Sequence, residues 1–90
     1  MAFRVLVHAE VQKFLKTLPG DRQAKIRKAL DALTEDPFTP RPTVDIRRLR
    51  GPPGRRDAFR LRVGDYRLLY DVEGENVWVT EAWHRGRGYR

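Results

Sequence analysis

Phe3, Val5 and Val7 alternate with Arg4, Leu6 and His8, the two-residue period of a β-strand with one wholly apolar face. From Ala9 the period changes. Val11, Phe14, Leu15 and Leu18 fall at i, i+3, i+4 and i+7, which predicts a helix of about ten residues ended by Pro19-Gly20. Ile26, Ala29, Leu30 and Leu33 repeat that spacing in a second helix, with Asp21 as its candidate N-cap and Pro37 as its close. Two amphipathic helices joined by Pro-Gly form an antiparallel hairpin whose apolar stripes need a sheet to cover them.

The remaining chain supplies the sheet. Residues 36–43, with Pro37, Pro40 and Pro42, form an extended connector, and Val44 to Arg50 is a candidate edge strand. Gly51-Pro52-Pro53-Gly54 then forces a loop. Three β-rich runs follow, Ala58 to Val63, Tyr66 to Val72 and Val77 to Trp83, joined by Gly64-Asp65 and by Glu73-Gly74-Glu75-Asn76. The expected fold is α+β, in the order β-α-α-β-β-β-β, with the helical hairpin packed on one face of a small, mainly antiparallel sheet.

The Gly64-Asp65 turn also predicts register. A two-residue loop pairs Val63 with Tyr66, Arg62 with Arg67, Leu61 with Leu68 and Phe59 with Tyr70. Parity then gives Phe59, Leu61, Val63, Tyr66, Leu68, Tyr70 and Val72 to the core face, and Arg60, Arg62 and Arg67 to the other. Like charges opposed across a ladder are destabilising, so Arg62 against Arg67 calls for an anion between them. Arg85 falls at core-face parity under simple pairing across residues 73–76; a bulge or the end of the strand must turn it.

Composition gives that face a partner class. The chain has 90 residues and a net charge of +7, with 34% charged residues against roughly 25% in ordinary globular chains. Residues 1–40 carry seven Lys or Arg and five acids; residues 41–90 carry twelve and seven, all twelve being arginine. A source that prefers arginine accounts for that number better than for its clustering. Ninety residues predict one domain spanning 1–90. With no cysteine, no membrane-length apolar run and an N-terminus unlike a signal peptide, the expectation is a cytoplasmic protein without disulfide or Cys-based zinc site, and with neither cofactor nor metal.

Metal-free RNA cleavage needs a proton acceptor for the 2′-hydroxyl, a cation for the phosphorane, an acid for the leaving 5′-oxygen and an aromatic to hold a base. The tail WHRGRGY offers His84, Arg85, Arg87 and Tyr89. Of these residue types only histidine ordinarily titrates near neutrality, although a capping histidine is the commoner role.

Nearly the whole chain resembles the RelE/ParE toxins of bacterial and archaeal toxin–antitoxin pairs. The resemblance is carried by KFLKTLP, the DP after the second helix, RRLRG, FRLRVGDYRLLY and HRGRGY, in the family's order and spacing. In the RelE branch it implies a ribosome-dependent mRNA endonuclease that cuts in the ribosomal A site by 2′-hydroxyl attack, without metal. It implies that Arg67 stabilises the phosphate, that Arg85 is a second catalytic arginine, and that Tyr89 stacks on or orients the scissile base.

Arg60 and Arg62 stand where well-studied RelE toxins carry lysines. Arginine keeps the charge but does not deprotonate, so a general base must be His84, Tyr89, the substrate or solvent. Arg48, Arg50, Arg55, Arg56 and Arg87 are further candidates for RNA phosphate contact, together with Arg60 and Arg62. The resemblance also implies a cognate antitoxin, acidic or amphipathic, that wraps the toxin as a hetero-oligomer, with no membrane partner. The alternatives are a ParE-like toxin that poisons DNA gyrase without cutting RNA, and an inactive RNA- or ribosome-binding domain.

Overall fold

The computed structural model describes residues 2–54 and 57–87, Arg87 through its backbone only. Strand β1 (Arg4–Val7) leads into helices α1 (Ala9–Lys16) and α2 (Gly20–Leu33). Strands β2 (Asp45–Leu49), β3 (Ala58–Val63), β4 (Tyr66–Glu73) and β5 (Asn76–His84) follow, then a short 3-10 turn at Arg85–Arg87. The sheet runs β1-β5-β4-β3-β2, antiparallel except for β1 against β5. The expected α+β architecture is the observed one, with β2 at the predicted edge.

The β3–β4 register is as predicted, including Val63 opposite Tyr66 and Arg62 opposite Arg67. Phe59, Leu61, Tyr66, Leu68 and Tyr70 are buried with Val11 of α1 and Ile26, Leu30 and Leu33 of α2. Leu33, Leu61, Leu68, Val77 and Val79 have no exposed surface. Each such side chain contributes roughly 1.5–3 kcal/mol of transfer free energy. Val63 and Val72 pack against this cluster only partly buried.

Helix boundaries differ from the periodic pattern. Asp21 is not the N-cap: α2 starts at Gly20 behind Pro19, and no side chain caps it. Proline presets the backbone leading into the helix, and Asp21 instead lies in the first turn, where a carboxylate meets the positive end of the helix dipole. Helix α1 stops two residues short of Leu18, and the Gln23 side chain covers the carbonyl of Leu18 at 2.7 Å. His8 does not continue the strand; its Nδ1 accepts from the Glu10 amide at 3.2 Å and caps α1.

The proline-rich connector is anchored at two places. The buried Tyr70 hydroxyl donates to the Pro37 carbonyl at 2.6 Å, and burial pushes its phenol well up from the ordinary tyrosine range. Arg41 donates to the carbonyls of Ala32, Asp36 and Thr39, so it satisfies backbone acceptors at the C-terminal end of α2.

Strand β5 carries an irregularity that decides the site. Tyr70 pairs with Val79 but Leu69 pairs with Glu81, so Thr80 is an extra residue with no partner on β4. A bulge of this kind reverses the facing of everything after it. Val77 and Val79 point to the core before it, and Ala82 packs against the core after it. The strand then ends at His84, and the Arg85 amide donates to the Asp65 carbonyl at 2.7 Å, one step past the last pair.

Candidate functional site

Arg60, Arg62 and Arg67 occupy the sheet face away from the helices because their partners in the ladder do: Arg62 lies opposite Arg67 on one side and Asp45 on the other. The β2–β3 register adds a residue that sequence reasoning passed over. Arg47 pairs with Arg60, while Ile46 pairs with Leu61 in the core. The signal was available in the apolar Val44 and Ile46, whose parity sends Arg47 outward, but a single short strand beside a Pro-Gly loop leaves its register open until β3 is in place.

The same parity takes Arg48 away from this face. Its Nε lies 2.6 Å from an Asp57 oxygen, and its guanidinium carbon sits 5.9 Å from the centre of the Phe59 ring. The other Asp57 oxygen accepts from the Gly51 amide at 3.0 Å. That amide, then Arg48, holds the Asp57 carboxyl below the usual carboxylate range. Arg48 therefore braces the loop after β2. Arg50 is exposed beyond the end of β2, and its charge also favours ionised Asp57. Arg55, Arg56 and Tyr89, and the side chain of Arg87, lie outside the described residues.

Arg67 is held by backbone rather than by an acid. One guanidinium nitrogen donates to the carbonyls of Gly64 (3.0 Å) and Tyr66 (3.1 Å), and among the described residues no carboxylate pairs with it. Desolvation, then the charges of Arg62, Arg60 and Arg85, depress its pKa from the ordinary arginine value. It remains a cation in repulsive surroundings, a state that an incoming anion relieves. Arg60 contributes a related signal, for its Nε is buried without a hydrogen-bond partner. Arg62 is the partly neutralised member, its Nε 2.7 Å from Asp45.

The Thr80 bulge brings Arg85 to this side after all. Arg62, Arg67 and Arg85 line one open groove of about 1040 Å³, which Lys25 and Lys28 of α2 border from across the sheet edge. His84 is turned the other way by the same bulge. Its ring packs edge-on against Tyr66 at 5.2 Å, its Nδ1 accepts from the Gly86 amide at 3.1 Å, and its Nε2 is 4.0 Å from Asp65. The structure thus joins Arg60, Arg62, Arg67 and Arg85, adds Arg47, and seats His84 as a turn cap at the rim. Charge stabilisation is well provided there; Asp31, Glu35, Asp45 and Asp65 line the same groove, with Asp45 paired to Arg62 and Asp65 to Arg85.

Fold and site together define a small basic α+β domain that offers guanidinium groups on an open sheet face. Residues 5–89 match the family described as ParE toxin of type II toxin-antitoxin system, parDE. Over 72 residues, 80% of this chain and 76% of the relative, the sequence is 35% identical to the "Putative toxin RelE1" of Methanocaldococcus jannaschii. The fold superposes with a TM-score of 0.83 on a chain from the archaeal RelE-RelB complex of Pyrococcus horikoshii OT3, at 33% identity, covering 98% of this chain and 100% of the other. A chain from the RelB-RelE antitoxin-toxin complex of Methanococcus jannaschii matches at 0.67 with 23% identity, covering 91% and 92%, a likeness of fold alone. The chain belongs to the RelE/ParE family of type II toxin–antitoxin toxins.

Proposed function

We propose that this toxin is a ribosome-dependent mRNA endoribonuclease whose transition state is stabilised by Arg67 and its neighbours on the sheet face. One observation carries the reading: Arg67, unpaired with any described carboxylate, is fixed by two backbone carbonyls beside Arg62 and Arg85. In the reaction the 2′-oxygen attacks phosphorus, the bond to the 5′-oxygen breaks, and the products are a 2′,3′-cyclic phosphate and a 5′-hydroxyl. The proton leaving the 2′-hydroxyl passes to a base and one is returned to the 5′-oxygen. Guanidinium groups suit the charge that grows on the phosphorane oxygens. They do not serve as the base, and with His84 Nδ1 engaged by Gly86 that role passes to Tyr89, substrate or solvent.

The test is a reconstituted translation reaction with a defined mRNA codon in the A site, comparing wild type with Arg67→Ala and Arg85→Ala. Cleavage by wild type that both substitutions cripple supports the reading; intact mRNA with wild type ends it. The family match under the ParE description makes gyrase poisoning the second reading, and inhibition of supercoiling by purified toxin, with mRNA left intact, selects it.

The Pyrococcus relative, solved as a RelE-RelB complex, supports a cognate antitoxin here, one that covers the arginine face with acidic or amphipathic segments. Affinity for the product of the neighbouring reading frame should fall as salt rises, and a salt-independent affinity rules out an electrostatic wrap.

A further inference from the structure

Both candidate catalytic arginines are tied to the same two-residue turn. Gly64, at φ +57°, provides the carbonyl that receives the Arg67 guanidinium at 3.0 Å. Asp65, next in the chain, holds the other arginine twice: its carbonyl accepts from the Arg85 amide at 2.7 Å, and its Oδ1 lies 3.7 Å from Arg85 Nε. The second oxygen faces His84 Nε2 at 4.0 Å. One carboxylate thus stands between two consecutive residues of the C-terminal segment, at the point where β5 gives way to a short turn.

The geometry points to Asp65 as a positioning residue that keeps Arg85 in the groove beside Arg67. The physical need is clear. Arg85 stands just past the last β4–β5 pair, its side chain is 67% exposed, and it shares the groove with Arg62, Arg67, Lys25 and Lys28, so repulsion among these cations favours a rotamer turned outward to solvent. A fixed counter-charge on the rigid hairpin offsets that repulsion and orders the side chain before substrate arrives. Asp65 itself touches no reacting atom in this scheme. The inference rests on the nuclease reading for its kinetic consequence, though not for its structural one.

Asp65→Asn is the decisive variant, because asparagine keeps the size and turn preference of aspartate and removes only the charge. In the A-site cleavage assay it should lower kcat by about tenfold to a hundredfold, the scale of a 1 Å misplacement, with KM within about twofold of wild type. Asp65→Glu should recover most of the loss. In an Arg85→Ala background Asp65→Asn should cost nothing further, since the residue it positions is gone. Wild-type kcat in Asp65→Asn overturns the assignment, as does a loss that persists in full without Arg85. A readout independent of cleavage is the Arg85 Nε–H signal in nitrogen-15 spectra: dispersed in wild type, merged with the free arginines in Asp65→Asn. If wild type cuts no mRNA the nuclease reading fails by itself, and that spectrum alone decides whether Asp65 holds Arg85; an unchanged Arg85 signal overturns it.

Discussion

Arg62 reaches across the β2–β3 ladder to place its Nε 2.7 Å from a carboxylate oxygen of Asp45, while on its other side it faces Arg67. Asp45 is therefore an internal counter-ion within a face otherwise dominated by arginine. Both side chains are about half exposed, at 53% and 47%, so the pair adds at most about 1 kcal/mol to stability. Under the proposed nuclease function its larger effect is on ligand binding, because an RNA phosphate approaching Arg62 would compete with a carboxylate already there. Asp45→Asn should leave the unfolding midpoint nearly unchanged and tighten RNA binding. The logarithmic salt dependence should steepen by up to about 0.7, the value of one more single-strand phosphate contact. Filter binding across a salt series checks this, and weaker binding by the variant argues against competition.

Arg67 should be the least replaceable residue of the face. Removing one preorganised donor from a charge-stabilising site typically costs about 10²–10³ in kcat, or roughly 2.7–4 kcal/mol, and Arg67→Ala should fall in that range. Arg67→Lys should recover little, because an ammonium lacks the planar fork that holds the Gly64 and Tyr66 carbonyls while still facing substrate. Single-turnover cleavage rates distinguish these outcomes from a defect in ribosome binding.

Tyr70 bonds the proline-rich connector to the sheet from inside the core. Tyr70→Phe leaves the Pro37 carbonyl without its 2.6 Å partner in a buried place, which should cost about 1–3 kcal/mol. Urea unfolding should show a lower midpoint with an unchanged slope, since the rest of the surface buried on folding is the same.

Acid should loosen the two loops that Asp57 and Asp36 hold. The Asp57 carboxyl is held low by the Gly51 amide and then by Arg48, and the Asp36 carboxyl by Thr39 and then the Phe38 amide. A carboxylate whose folded pKa is depressed contributes stability above its unfolded pKa of about 3.9 and loses it as pH falls through the folded value. The drop in stability between neutral pH and pH 3 should be smaller in Asp57→Asn than in wild type. Equal drops in the two proteins contradict the assignment.

Much of this protein was legible before its structure was. Alternation in Phe59, Leu61 and Val63 and in Tyr66, Leu68 and Tyr70, joined by Gly64-Asp65, determined the β3–β4 register and put Arg60, Arg62 and Arg67 on one face, because a two-residue turn leaves a hairpin only one alignment. Helical spacing likewise located α1 and α2 to within a few residues. Three features depended on the tertiary structure. The Thr80 bulge, which sends Arg85 to the arginines and His84 toward Tyr66, leaves no local mark, since threonine is an ordinary strand residue and the extra position exists only relative to β4. Arg47 joined the face, and Arg48 left it for Asp57, only once β3 set the register of a five-residue edge strand. Asp45 and Asp65 became partners of Arg62 and Arg85 through a neighbouring strand and a turn twenty residues distant in sequence. Periodicity is a property of the backbone's own geometry and is written locally; pairing between distant segments is settled by packing, and that is where this site's charges were assigned.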